Sequence, residues 1–226
     1  MKTEYVEEIR HGEYKCLVNI EPLSDTIRDA WRRKVFYEAN KTGMLAYLYG
    51  RRHDFVGRQA IDCGSNLGNH TLFFIRVIGV SQVFSFEPQL DRIREFQKNI
   101  QLNNIHNCTL HEVALGDVDG VKANVSPNKG TITKSKEGNA TIMTLDSFGD
   151  EFKNVGLIKI DVEGYGAPLL RGALGVIECH SPEVFIECQD KSSLNDARSI
   201  LKGINYEQDT RFVFNATPTY RFYRAT

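Results

Sequence analysis

Apolar positions change their spacing along the chain, and the change marks out the elements. In residues 25–52, Ile27, Trp31, Val35, Tyr37, Met44, Leu45 and Leu48 recur at roughly helical intervals, which predicts one or two helices ahead of the core. From Gln59 the pattern tightens into short apolar runs separated by amphipathic stretches. "QAIDC" (59–63) reads as a strand and residues 68–78 as a helix. "QVFSFEP" (82–88) is a second strand, followed by a helix over about 89–103. "NCTLHEVAL" (107–115) is a third strand, and residues 116–145 are a looser stretch with strand-like pieces such as "TIMTL". "VGLIKIDVEG" (155–164) is a fourth strand and "APLLRGALGVI" (167–177) a helix. "PEVFIECQ" (182–189) is a fifth strand and "SLNDARSILKGI" (193–204) a helix. Two alternating runs around "ATP" (216–218) predict a terminal antiparallel hairpin.

Strands that alternate with helices predict an α/β fold with a doubly wound, mostly parallel sheet covered on both faces. The hairpin adds an antiparallel strand at or near one edge. The reading is of one domain, with an N-terminal helical cap (1–57) and an α/β core (58–226). Ligands of such sheets bind beyond the carboxyl ends of the strands, so the search for chemistry begins there.

Composition narrows the partners. The 226 residues carry 28 basic and 29 acidic side chains, and a net charge of −1 gives no general pull toward nucleic acid or anionic lipid. No segment approaches the ~18 apolar residues of a membrane span, and the polar start "MKTEYVEEIRHGEYK" does not resemble a signal peptide. Five cysteines with no CxxC spacing, several in apolar runs, point to a reducing, cytoplasmic compartment and to no metal site. A small molecule or a glycan suits this charge balance better than a polyanion.

The strand ends supply candidate chemistry. "AIDCGSNLGNH" (60–70) places Asp62 at a strand end, then Gly64, Ser65, Asn66, Gly68 and Asn69 in a tight turn into a helix. The glycines allow a sharp turn and a close-lying ligand. Glu87-Pro88 ends the next strand, where an acid can accept hydrogen bonds from both ribose hydroxyls of a nucleoside. Asn66 stands where a dinucleotide fingerprint keeps its second glycine, and no Gly-Lys-Ser/Thr closes a phosphate loop. A phosphate-free nucleoside with an amino-acid tail fits better: Asp62 for its ammonium, directly or through water, and Asn66 and the helix-start amides for its carboxylate. S-adenosylmethionine has these parts. The bland alternative is that Asp62 and Asn66 only cap the helix.

At this point a resemblance becomes specific. "FYE" (36–38), "IDCGSNLGNHT" (61–71), "FSFEP" (84–88), "NIQLNN" (99–104), "VALGD" (113–117), "TLDSF" (144–148), "IKIDVEGY" (158–165), "LLRGA" (169–173) and "FIEC" (185–188) stand in order over about residues 36–190. In these segments the chain resembles the FkbM-type S-adenosylmethionine-dependent methyltransferases. The resemblance implies a class I methyltransferase fold. It also implies that Asp62, Gly64, Asn66, Gly68 and Asn69 line the methionine part, that Glu87 holds the ribose, and that Ala114 and Leu115 border the adenine. Where the family usually has an acid two positions beyond the glycine of "DVEG", this chain has Gly166, so that acid's role does not carry over.

Methyl transfer requires alignment of the acceptor and exclusion of water, and a hydroxyl acceptor also needs a base. Lys159, Asp161 and Glu163 near the end of the fourth strand and Glu187 on the fifth are the catalytic candidates, with Asp161 foremost. An isolated buried ammonium is costly, so Lys159 is expected to pair with Asp161 or Glu187. His70 reads first as a structural residue, with lining the pocket or acting as a base as the alternatives, and Glu38 is expected to fold over the cofactor as part of a lid. The leading expectation is O-methylation of a sugar, glycan or secondary metabolite. N-methylation and a non-catalytic nucleoside-binding module are the alternatives.

Overall fold

The structure is a computed structural model that describes residues 5–21, 25–127 and 130–225. Residues 1–4 and 22–24 of the expected cap, 128–129 of the looser stretch, and 226 in the tail lie outside the described residues. The chain opens with strands β1 (Val6–His11) and β2 (Tyr14–Asn19), an antiparallel hairpin turning at Gly12, whose φ is +57°. This corrects the expectation of a purely helical cap. Cys16 and Val18 alternate with exposed Lys15 and Leu17, a strand period that puts one face of β2 on the core. The expected helices follow as α1 (Thr26–Arg32) and α2 (Met44–Gly50), with non-helical residues 33–43 between them.

The core sheet contains β3 (Gln59–Cys63), β4 (Gln82–Phe86), β5 (Cys108–His111), β10 (Val155–Ile160), β11 (Glu183–Glu187), β12 (Tyr206–Gln208) and β13 (Thr219–Arg224). Its order is β12-β13-β11-β10-β3-β4-β5. The five strands from β11 to β5 pair in parallel, and β13 runs antiparallel between β11 and β12. The expected terminal hairpin is thus present, although residues 209–218 join its strands by a long connection instead of a tight turn. Every residue of β10 is buried, because helices cover both faces. Ala60, Leu157 and Phe185 pack on one face with Trp31, Phe36, Leu72 and Phe73. Ile61, Ile158 and Val184 pack on the other with Leu169, Val176 and Leu201.

The helices α3 (Asn69–Phe73), α4 (Leu90–Leu102), α5 (Gly166–Arg171), α6 (Leu174–His180) and α7 (Lys191–Lys202) connect these strands. Residues 74–78 continue α3 with a wider turn, in which the Gly79 amide donates to the Phe74 carbonyl. Two expected elements divide. The run 107–115 splits into β5 and β6 (Ala114–Leu115), because β6 leaves the core sheet to pair with β9 (Ala140–Met143). That small sheet is completed by β7 (Val121–Val125) and β8 (Ile132–Lys134), in the order β6-β9-β7-β8. The expected helix 167–177 breaks at Gly172, where a Cβ would collide with the Gly116 carbonyl. Among the described residues no helix is long and apolar enough to cross a membrane.

The winding reverses between β3 and β10. From β3 the chain builds outward through β4 to β5, and from β10 it builds the other way. The loops leaving adjacent strand ends therefore diverge, and a crevice opens beyond β3, β4 and β10.

Candidate active site

The loop after β3 owes its shape to two left-handed residues in its first half. Gly64 has φ +77°, and a Cβ there would run into the Asp161 carbonyl beyond β10. Asn66 has φ +51°, a conformation Asn tolerates better than most side chains. The Gly64 and Ser65 amides donate to the Phe86 carbonyl at 2.9 and 3.0 Å, which ties the loop to the end of β4. The Asn66 amide donates to Glu87 Oε2 at 3.0 Å, and the Gln89 amide donates to Oε1 at 2.9 Å. Two backbone amides thus fix the orientation of the Glu87 carboxylate. Burial still pushes its pKa up, because the group is 4% exposed.

Glu87 stands on the wall of a cavity of about 390 Å³ beyond β3, β4 and β10. Gly64, Asn66, Pro88, Ala114, Leu115, Asp161 and Glu163 of the expected set also line it. Sequence reasoning missed Asp25, Thr26 and Ile27 at the start of α1, and Arg92 on α4. Only the docking of α1 over the strand ends brings the first three there, and no local motif announces it. Arg92 reaches Asp25 Oδ2 at 3.2 Å and so braces that side of the mouth. Gly68, with φ +89°, does not line the cavity, and a Cβ there would press on the Phe96 ring. The Ser65 hydroxyl and the Asn66 side-chain oxygen are buried with no hydrogen-bond partner among the described residues. An unpaired buried oxygen costs free energy, so the Asn66 oxygen, on the cavity wall, suits a ligand that donates to it.

Lys159, only 3% exposed, is the charge centre below the crevice. Its Nζ donates to the Gly64 carbonyl at 2.9 Å and lies 3.3 Å from Asp62 Oδ1 and 3.5 Å from Asp161 Oδ2. Burial alone favours the neutral amine, but Asp62 and Asp161 outweigh it and hold the ammonium charged. The expected pairing with Asp161 is present and the one with Glu187 is not. Asp62 is the additional partner. Fully buried, it also accepts from Thr71 Oγ1 at 2.7 Å and does not line the cavity.

Asn69 likewise faces away from the cavity, toward the segment after α1. Its Oδ1 accepts from the Trp31 indole at 3.1 Å and the Tyr37 amide at 3.0 Å, while its Nδ2 donates to the Tyr37 carbonyl at 3.1 Å. His70 Nε2 lies 3.0 Å from Glu38 Oε2, with both side chains nearly buried. The start of α3 therefore straps residues 37–38 across the strand ends. Tyr37 has its phenol pKa pushed up to about 12, first by burial and then by the charges of Glu38, Asp161 and Glu187.

The remaining acids sit around Asp161, whose side chain is 28% exposed. Glu163, with φ +44°, accepts from Gln189 Nε2 at 2.9 Å, and its pKa is raised by burial and by Asp161. Glu187 lies one strand beyond the cavity wall, since Ile186 pairs with Ile160 in register and the next residues are Glu187 and Asp161. Burial first, then Asp161 and Glu163, push its pKa up to about 8. Among the described residues no group of three His, Cys, Asp or Glu is arranged to hold a metal ion.

Comparison with known proteins agrees with this architecture. The sequence profile of the "Methyltransferase FkbM domain" matches residues 62–208. "Methyltransferase 1" of Beauveria bassiana (strain ARSEF 2860) is 27% identical over 172 aligned residues, covering 63% of this chain and 69% of that protein. The crystal structure of Methyltransferase FkbM from Methylobacillus flagellatus KT superposes with a TM-score of 0.57 at 19% identity, over 75% of this chain. This chain covers only 44% of the length of that protein. The ribosomal protein L11 methylase of Lactobacillus delbrueckii subsp. bulgaricus superposes with a TM-score of 0.51 at 14% identity, over 99% of this chain and 100% of that one. At these identities the two superpositions speak for the fold.

Proposed function

The chain belongs to the FkbM methyltransferase family, and from that premise we propose that it transfers a methyl group from S-adenosylmethionine to a hydroxyl of a sugar, glycan or secondary metabolite. The observation that carries the reading is the Glu87 carboxylate, held by two backbone amides on the cavity wall with lone pairs left for further donors. Two vicinal ribose hydroxyls are such donors. S-adenosylmethionine supplies an electrophilic methyl group on a positively charged sulfur.

The residues fit that donor. Pro88, Val113, Ala114 and Leu115 give an apolar edge for a base next to the ribose acid. Gly64, whose lack of a Cβ lets the backbone pack against the Asp161 carbonyl, lines the cavity together with Asp161, on the side that would take an amino-acid tail. The unpartnered side-chain oxygen of Asn66 on the cavity wall suits an ammonium, while Ser65, expected at the cofactor, is buried behind the wall and does not line the cavity. This revises the expected assignment, in which Asp62 met the ammonium and Asn66 the carboxylate. With Asp62 committed to Lys159 and Thr71, we assign it a positioning role through Lys159, and to Asn69 the strapping of residues 37–38. Glu38, Asp161, Glu163 and Glu187 make the acceptor end acidic, which suits both a cationic donor and removal of a hydroxyl proton. A cytoplasmic setting belongs to the same reading, with three of the five free thiols buried as small apolar groups.

Calorimetry provides the test. S-adenosylmethionine and S-adenosylhomocysteine should each bind the chain without added metal, and NAD should not. Failure of both, alongside clear binding of NAD, would overturn the reading. Screening of sugars and hydroxylated metabolites with labelled donor then identifies the acceptor, and labelling only of amines would favour N-methylation.

A further inference from the structure

Five carboxylates converge beyond the ends of β3, β10 and β11, and four are committed. Asp62 and Asp161 share Lys159, Glu163 takes the Gln189 amide, and Glu38 pairs with His70. Glu187 alone among them has no hydrogen-bond or ion-pair partner among the described residues. It is half-buried, and the parallel register of β10 and β11 sets it level with Asp161.

We propose that Glu187 is the proton carrier of the transfer site, releasing its proton when a cationic donor binds and taking one back from the acceptor hydroxyl as the methyl moves. The inference rests on the reading of the cavity as an S-adenosylmethionine site. Asp161 and Lys159 face Glu187 from β10, Glu163 from the following loop, Glu38 and Tyr37 from the strap, and Cys188 is its neighbour in the chain. The acids outnumber the one ammonium. Burial first, and those acids with it, favour the neutral form before a donor binds and push the Glu187 pKa up to about 8. A positive charge placed against the cluster reverses that preference, and Glu187 loses its proton to solvent. The carboxylate so formed accepts the hydroxyl proton as the acceptor oxygen bonds to the methyl carbon and the sulfur–carbon bond breaks toward sulfur. Once the sulfur is neutral, Glu187 is again protonated, as it was before the donor bound. The proton released on binding is the one regained in transfer, and the cycle closes.

The test compares two ligands that differ at the sulfur. S-adenosylmethionine and S-adenosylhomocysteine are titrated into the full chain by calorimetry at pH 7, in buffers of different ionisation enthalpy. The sulfonium ligand should release roughly half a proton or more beyond its neutral counterpart, by linkage to Glu187. The excess should fade well above pH 8, where Glu187 is already ionised before either ligand binds. Glu187→Gln should abolish the excess while still binding both ligands. Glu163→Gln should retain it. Glu87→Gln should affect both ligands alike, since the ribose is common to them. The wild-type pH series tests the idea even if a variant fails to fold. Equal release by both ligands, or an excess that survives Glu187→Gln, overturns the proposal and leaves the cofactor reading standing. Binding of neither ligand to the folded wild-type chain overturns the cofactor reading itself.

Discussion

Glu87 and Glu187 invite comparison. Each stands at the carboxyl end of a core strand, Glu87 after β4 and Glu187 at the end of β11, and burial raises the pKa of both. Their surroundings differ. Glu87 accepts from two backbone amides, so its direction is set before any ligand arrives. Glu187 has no such partner and is surrounded by like charges. A carboxylate oriented by fixed donors suits recognition, because little ordering remains to be done on binding. A carboxyl group left without partners among acids suits proton transfer, because a nearby charge readily changes its protonation.

The contrast can be broken by substitution. The largest effect expected is on turnover. Glu187→Gln should lower the methyl-transfer rate by ~10²–10⁴-fold while leaving the dissociation constant for S-adenosylhomocysteine nearly unchanged, as read by steady-state kinetics and calorimetry once an acceptor is in hand. Normal turnover in that variant would move the proton-accepting role to Asp161 or Glu163.

Next comes the ion pair beneath both sites. Lys159→Met leaves Asp62 buried without its countercharge, and breaking a buried pair in this way costs about 3–5 kcal/mol. Thermal and denaturant unfolding should register the loss before any assay of chemistry does. A variant as stable as the wild type would show that the buried Asp62 side chain does not depend on the Lys159 ammonium.

Glu87→Ala probes recognition. Charge-assisted hydrogen bonds to two hydroxyls are worth about 1.5–3 kcal/mol each, so binding should weaken by at least about tenfold. The fold should survive, because the released amides face an open cavity that water can enter. An unchanged dissociation constant in the folded variant would put the ribose elsewhere.

The smallest effect concerns pH and stability. Glu187 binds its proton more tightly when folded, about 8 against an ordinary 4.5. The stability this contributes is fully present below pH 4.5 and is lost as pH rises through 8. Glu187→Gln, which cannot ionise, should melt higher than the wild type above pH 8, with the advantage shrinking as pH falls across that window. Parallel melting curves of the two proteins against pH would argue that Glu187 is well solvated.

Much of this was legible in the sequence, because it is written locally. The glycine–asparagine turn, the acid ending the second strand and the apolar run 155–160 each follow from a few adjacent residues. The core strands have an apolar period strong enough to outweigh local ambiguity. The hairpin of β1 and β2 was missed although Cys16 and Val18 alternate with Lys15 and Leu17, since a short, charged segment gives a weak signal. The division of 107–115 depends on β6 finding β9, a pairing between segments far apart in the chain.

The sequence by itself determined the order of the core elements, the turn that opens the crevice and the set of acids at the strand ends, because backbone propensity and strand period act over a few residues. Only the tertiary structure decided which acid pairs with what. Lys159 drew Asp62 and Asp161 and left Glu187 unpaired. Asn69 turned to Trp31 and Tyr37 instead of the cavity. The start of α1 came to line the site. Those outcomes depend on distances between segments remote in sequence, and electrostatic and hydrogen-bond energies are set by such distances and by the burial that accompanies them.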